Sequence, residues 1–267
     1  MTQPQWDARD YHRHSSAQQR WAHELLETLA LHGRERVLDV GSGDGKVTAE
    51  IARRVPRGRV VGVDLSEAMV AFAREHFPPA GHPNLEFRVM DARTLSFDAE
   101  FDVVFSNATL HWVDDHSAVL RGIRRALVPG GRCLLQMGGK GNAEGVMQEL
   151  SEVCARGRWS RFFEGFVFPY AFLDAATYTA LLALAGLNAK RVELIPKAMK
   201  QPGADGLAGW LRTTWMPWGE RVPDEQRDAF LSEVVAEYLA RHPLDSDGFA
   251  GVAMMRLQVE AIRPTGT

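Results

Sequence analysis

Between residues 17 and 31 the apolar residues Trp21, Leu25, Leu26 and Leu29 recur at helical spacing behind Ser15 and Ser16, so the pattern predicts a capped amphipathic helix. Then the periodicity changes. Short runs rich in β-branched and other apolar residues at 36–40, 59–63, 85–90, 101–106 and 131–137 alternate with helical stretches around 46–54, 66–76 and 116–127. Residues 91–100 are the exception, a short irregular crossing. Strand, helix, strand repetition predicts a parallel sheet with right-handed crossovers, helices on both faces and a site at the carboxyl ends of the strands. Pro129-Gly130-Gly131 predicts a turn into the fifth strand.

After Met137 the composition shifts. A Gly-rich start, a helix, the aromatic cluster WSRFFEGFVFPY and a second helix ending at Ala185-Gly186 fill 138–188. A sixth strand is expected at 189–195 and a seventh at 252–261; between them lie WLRTTWMPW and a long helix over 223–241. The expectation is a single doubly wound α/β domain over 1–267 with a mostly parallel seven-stranded sheet. Residues 1–137 form its core, and 138–188 and 197–250 form a helical cap inserted among the C-terminal strands.

The 267 residues are enough to bury a sizeable core, and a net charge of −3 offers no large positive field for nucleic acid or anionic lipid. Cys133 and Cys154 are too few for a disulfide framework and form no C-x-x-C pair, so a reducing compartment is expected. The stretch MTQPQWDARDYHRH lacks the apolar core of a signal peptide, and no later run suits a bilayer, so the expected location is the cytoplasm. His12 with His14, and His111 with His116, have chelating spacings but no Cys or carboxylate cluster beside them, so no metal is expected. No G-x-S-x-G elbow supplies a hydrolase nucleophile.

The segment VLDVGSGDGKV at 37–47 is the most informative. A dinucleotide fingerprint needs a third glycine where Lys46 stands, and no Gly-Lys-Ser/Thr tripeptide completes a phosphate loop. What remains is Asp39, then Gly41, Ser42, Gly43 and Gly45, and a second acid, Asp64, at the end of VVGVD. Glycines admit close backbone approach, and a carboxylate at the second strand end accepts ribose hydroxyls, so the pattern suits a ribose-bearing cofactor without phosphates.

With VVGVDLS, FRVMDA, FDVVFSNATLHWV and ALVPGGR in the same order, residues 36–137 resemble the class I S-adenosylmethionine methyltransferases. The resemblance implies S-adenosyl-L-methionine as cofactor, with Gly41, Ser42, Gly43 and the Asp39 neighbourhood at its methionine end. Asp64 would take the ribose, Leu65 and Met69 would pack on the adenine, and Asp91 with Ala92 would face the exocyclic amine. Each has another reading: Asp39 as a loop brace, Met69 as helix core, Asp91 as a turn or cap residue. Asn107, with Ser106 and Ala108, ends the fourth strand, where methyl donor and acceptor should meet.

Two carboxyl methyltransferase families share further features: those acting on trans-aconitate and those acting on juvenile hormone acid, the latter through Tyr11, Ser15 and Gln18, LHW, and FPY at 168–170. The likeness implies that Gln18 and Trp112 anchor the acceptor carboxylate and that Tyr11 closes over the donor. Ser15 with Gln18, and Ser16 with Gln19, also fit a capping box, so a helix-end role for Gln18 stays open. Trp112 is equally open to packing, and His111 to a general-base or a neutral structural role. The aromatics at 159–170 and Trp210, Trp215 and Trp218 are expected mostly in the core of the insertion, with Arg212 available for a second acidic group.

A carboxylate, with a pKa near ~4, is ionised at neutral pH and needs no base, only alignment and a dry site. The expected activity is therefore O-methylation of a lipid-like or organic acid by a monomer or homodimer. An N-, C- or phenolic O-methyltransferase, a nicotinamide or nucleotide-sugar oxidoreductase and a noncatalytic cofactor-binding regulator stand as alternatives.

Overall fold

A computed structural model describes the backbone of residues 16–266 and the side chains of residues 21–266. In chain order the elements are α1 (Ser16–Thr28), β1 (Arg36–Val40), α2 (Lys46–Arg54), β2 (Arg59–Asp64), α3 (Glu67–His76), β3 (Leu85–Val89), β4 (Phe101–Asn107), α4 (His116–Ala126) and β5 (Leu127–Gly138). They continue with α5 (Glu144–Cys154), α6 (Ala175–Leu184), β6 (Asn188–Pro202), α7 (Gly203–Thr214), α8 (Met216–Gly219), α9 (Asp224–Arg241) and β7 (Phe249–Ile262). The strands form one sheet in the order β3-β2-β1-β4-β5-β7-β6. Neighbours from β3 through β5 are parallel, and β7 runs antiparallel to β5. The order reverses between β1 and β4, which opens a crevice at their carboxyl ends.

Burial on both faces explains why the central strands read as nearly unbroken apolar runs. On one face Val37, Val103 and Phe105 pack with Leu25 and Leu26 of α1, Ala49 and Ile51 of α2 and Val70 of α3. On the other, Leu38, Val40 and Val104 pack with Val119, Leu120 and Ile123 of α4 and with Tyr178 and Leu182 of α6. Asp39 alternates with Leu38 and Val40 and so belongs to the α1, α2 face.

Several boundaries differ from those expected. Helix α1 stops at Thr28, whose hydroxyl donates to the Leu25 carbonyl at 2.7 Å, and Ala30 then takes a positive φ of 45°. Strand β5 begins at Leu127 rather than 131: Leu127 pairs with Phe101 and the register shifts before Arg132 pairs with Val103, so Pro129-Gly130-Gly131 is an irregularity inside the strand. Strand β6 runs to Pro202, well past 195, and β7 starts at Phe249 rather than 252. β6 is the edge strand and mostly exposed, so no buried alternation marks its length, and its lysines and Pro196 suit an unpaired edge.

The described residues fall into two compact units, one comprising 16–140, 170–195 and 256–266, the other 141–169 and 196–255. The second unit is built around α9, whose Phe230 lies under Trp159 at 5.4 Å between ring centroids. Trp210, Trp215 and Trp218 are buried in it as a contiguous series. Glu233 accepts from the Trp159 indole N–H and from Arg156, both at 2.7 Å, and buried Glu149 accepts from Arg241 at 2.6 Å. The aromatic segment WSRFFEGFVFPY is thereby divided, because Tyr170 belongs to the unit that holds the sheet.

Candidate functional site

Where β1 ends, the chain turns through Gly41, whose N–H, like that of Ser42, donates to the Val63 carbonyl at 2.7 and 3.0 Å respectively. Gly41 has φ +79°, and a Cβ there would stand 2.2 Å from the Thr109 side chain, whose hydroxyl donates to the Gly41 carbonyl at 3.1 Å. No other residue type fits. Gly43, at φ +52°, has nothing within 4 Å of its missing Cβ among the described residues. The Ser42 hydroxyl oxygen is buried and has no hydrogen-bond partner among the described residues.

Three acids stand at successive strand ends. Asp39 is buried and accepts from the Thr48 hydroxyl of α2 at 2.7 Å. Burial pushes its pKa up to about 7, the Thr48 bond opposing and the nearby Asp64 charge adding to the rise. Asp64 accepts from the Gly43 and Ser66 N–H groups, both at 2.9 Å; burial still raises its pKa against those bonds. Its oxygens retain lone pairs beyond the two used. The Met90 N–H donates to the Asp64 carbonyl at 2.9 Å and brings the end of β3 beside that of β2.

Asp91 caps a 3₁₀ turn over Ala92–Thr94 and is held by the Arg93 side chain at 2.7 Å, the main reason its pKa lies below the usual range. Leu65 is 42% exposed directly after Asp64, whereas Met69 is buried in α3.

At the end of β4, Asn107 is half-buried opposite Gln136, and Ala108 turns the chain at φ +60° into a 3₁₀ turn over Leu110–Trp112. The His111 ring is buried and within 6 Å of Trp112, Tyr170 and Phe172, with centroid distances of 5.9, 5.8 and 5.8 Å. Trp112 meets Tyr170 edge-on at 4.6 Å. Burial above all, with the positive charge of Arg256 and a smaller influence from His116, pushes the His111 pKa down to about 3. Its Nδ1 accepts the Gly138 N–H at 3.4 Å, so the neutral ring carries its proton on Nε2.

Asp39, Gly41, Ser42, Gly43, Asp64, Leu65, Asp91, Ala92 and Asn107 thus lie on the carboxyl ends of β1 to β4 or in the loops that leave them. Tyr11 lies outside the described residues; Gln18 lies in α1, with its side chain outside them. Arg212 is exposed on α7. Sequence reasoning passed over Thr109, which explains Gly41, and the polar residues Gln136, Gln258 and Arg256 in otherwise apolar strands, a signal present in MRLQV. Among the described residues no group of three or more His, Cys, Asp or Glu is placed to hold a metal ion, and no helix is long and apolar enough to cross a membrane.

An open glycine backbone, an unpartnered buried hydroxyl, a doubly anchored carboxylate with spare lone pairs and an exposed leucine beside it fit a nucleoside with a charged tail. Known proteins agree. Residues 38–135 match the family described as a methyltransferase domain. The trans-aconitate 2-methyltransferase of Variovorax paradoxus is 32% identical over 96% of this chain and 97% of its own length. A putative methyltransferase of Bacillus halodurans superposes with a TM-score of 0.63 at 20% identity, covering 91% of this chain and 99% of that one. The phosphoethanolamine N-methyltransferase 2 of Haemonchus contortus, solved with S-adenosylhomocysteine, gives a TM-score of 0.61 at 18% identity over 96% of this chain and 57% of its own. From fold, site and kinship together, the chain belongs to the class I S-adenosylmethionine-dependent methyltransferases and uses S-adenosyl-L-methionine as its cofactor.

Proposed function

We propose that this methyltransferase acts on a carboxylate oxygen of a small organic acid. The observation that carries the reading is the neutral His111 beyond the end of β4, the residue best placed by sequence to act as a base. With a pKa near 3 it is a poor proton acceptor at neutral pH. A phenol, with a pKa near ~10, is separated from it by a gap too wide for useful base catalysis, whereas a carboxylic acid at ~4 arrives as the nucleophile. The relatives named for trans-aconitate, a tricarboxylic acid, support the same reading.

Bound at this sheet edge, the cofactor supplies an electrophilic methyl group on a sulfonium. The chain's residues then position. The loop from Gly41 to Gly43, with Asp39 behind it, holds the methionine end, and Asp64 accepts the ribose hydroxyls. Leu65 and Met69 flank the adenine, and Asp91 and Ala92 face its amine. Asn107 borders the transfer point, Trp112 donates its indole N–H to the acceptor together with Gln18, and Tyr11 covers the donor. Alignment of this kind is worth roughly 7–11 kcal/mol in favourable cases. Opposite charges vanish as the methyl group moves, and the ring cluster of Trp112, Tyr170 and Phe172 provides the dry surroundings that favour this. The free thiols of Cys133 and Cys154 suit a reducing, cytoplasmic setting.

The test is a panel of carboxylic acids, phenols and amines with methyl-labelled donor. Volatile methanol released from product by mild alkali identifies an ester and supports the reading. Alkali-stable ether or amine products formed in preference to esters overturn it.

A further inference from the structure

We propose that the acceptor is a 2- or 3-hydroxy acid, held by a hydrogen bond from its hydroxyl to the side-chain carbonyl of Gln136; this rests on the carboxylate reading above. Gln136 is only 4% exposed, among the buried apolar residues Leu134, Leu135 and Met137 of β5. Its Oε1 is buried with no hydrogen-bond partner among the described residues. Water satisfies that oxygen in the unfolded chain, so burying it unpaired opposes folding. A ligand that brings the missing donor accounts for an amide in this position.

Register puts the oxygen beside the transfer point. Gln136 lies opposite Asn107 at the end of β4 on one side and opposite Gln258 of β7 on the other, and its Nε2 donates to the Gln258 Oε1 at 3.2 Å. The two amide atoms diverge from one carbon, so a nitrogen engaged on the β7 side leaves the oxygen turned to the β4 side, where Asn107 is one strand spacing, ~4.8 Å, away. Because Asp39 pairs with Phe105, two residues before Asn107, strand alternation puts Asn107 and Gln136 on the Asp39 face, the face that α1 covers. Helix α1 runs opposite to β5 on that face. The Leu29 carbonyl accepts from Arg132, early in β5, at 2.6 Å, whereas the Trp21 ring centroid lies 4.5 Å from the guanidinium carbon of Arg256, a residue opposite Gly138 at the end of β5. The first turn of α1, with Gln18 about one turn before Trp21, therefore belongs to the carboxyl end of the sheet, as Gln136 does.

A carbonyl oxygen can only accept, so the group it meets is a donor, a hydroxyl or an ammonium. Arg256 stands two residues from Gln258 on the same face, and its positive charge reaches as far as His111, so an ammonium is opposed here and a hydroxyl is favoured. The carboxylate lies by Asn107 during transfer while the hydroxyl meets Gln136 one strand over, which confines the hydroxyl to the second or third carbon. Trans-aconitate, the acid in the relatives' names, lacks such a hydroxyl, so this chain should favour a different acid.

Lactate, 3-hydroxybutyrate and 3-hydroxyoctanoate are compared with propionate, butyrate and octanoate on the parent enzyme, Gln136→Met and Gln136→Glu. The parent should favour the hydroxy acid by roughly 10- to 100-fold in kcat/KM in at least one pair, mainly through KM, because the plain acid leaves the buried oxygen unpaired. The Met variant removes that oxygen at similar volume, and the ratio should fall to about unity. The Glu variant keeps an oxygen in place and can accept from the Gln258 amide once that amide turns over, so the preference should persist. If the Met variant does not fold, the parent's own ratio and the Glu variant carry the test. A parent ratio of about unity in every pair, a preference that the Met variant keeps, or one that the Glu variant loses overturns the proposal. Calorimetric binding to the S-adenosylhomocysteine complex separates the two readings. Binding of a hydroxy acid that depends on Gln136 without ester formation supports this inference and sinks the reaction assigned above, whereas ester formation indifferent to the hydroxyl and to Gln136 does the reverse.

Discussion

Replacing Asp39 by Asn should stabilise the ligand-free protein in alkali while weakening its hold on the cofactor. In the folded chain burial raises the Asp39 pKa to about 7 from an ordinary 3.8. A raised folded-state pKa means that the folded form binds the proton more tightly than the unfolded chain. The stabilisation this brings is complete below pH 3.8 and is lost as the pH rises through 7. The separation of about 3 pH units corresponds to about 4 kcal/mol lost above pH 8, of which about 2 is already lost at pH 5. Asparagine keeps an oxygen for the Thr48 hydroxyl and carries no charge, so its advantage should be near zero at pH 4 and grow to a plateau of about 4 kcal/mol above pH 8. Urea unfolding of both proteins from pH 4 to 9, followed by tryptophan fluorescence, measures the difference. A uniform difference at every pH, or destabilisation by Asn at pH 8.5, refutes the reasoning. In the parent protein, docking of the cofactor's ammonium group beside Asp39 should release a proton near pH 7. Calorimetry in buffers of different ionisation enthalpy reads that release.

Gly41→Ala meets both a forbidden φ and the Thr109 side chain, so cofactor affinity should collapse and stability should fall by more than the ~1–2 kcal/mol of the backbone term alone. Gly43→Ala should incur only that backbone cost, because its Cβ meets none of the described residues, yet still weaken S-adenosylhomocysteine binding measured by calorimetry. His111 has its folded pKa depressed to about 3, so the unfolded chain binds the proton more tightly between pH 3 and 6.5, and stability should fall as the pH drops through that window. His111→Gln should flatten that acid limb of the stability profile. Arg256→Gln should raise the His111 pKa, observable by NMR titration of the ring, because the guanidinium charge helps burial to depress it.

The sheet edge that carries the glycine loop is legible in the sequence because its determinants are local. Glycines, an apolar strand and a terminal acid recur within a few residues, and burial on both faces makes β1, β2 and β4 unmistakable runs. What escaped depends on distant pairing. Nothing near Gly41 announces that Thr109, far along the chain, presses on it. The sequence pattern marks only the first part of β6, because an exposed edge imposes no apolar alternation. What Arg256 and Gln258 lie opposite is set by the antiparallel register that lays β7 along β5.

The account stands on the placement of the nucleoside across the carboxyl ends of β1 and β2. A crystal structure with S-adenosylhomocysteine tests it most directly. The ribose hydroxyls should lie within hydrogen-bonding distance of the Asp64 carboxylate, with the amino-acid tail along the Gly41 to Gly43 backbone and adenine against Leu65. A ligand bound elsewhere, with Asp64 still engaged by the Gly43 and Ser66 amides and by no ribose hydroxyl, contradicts the account.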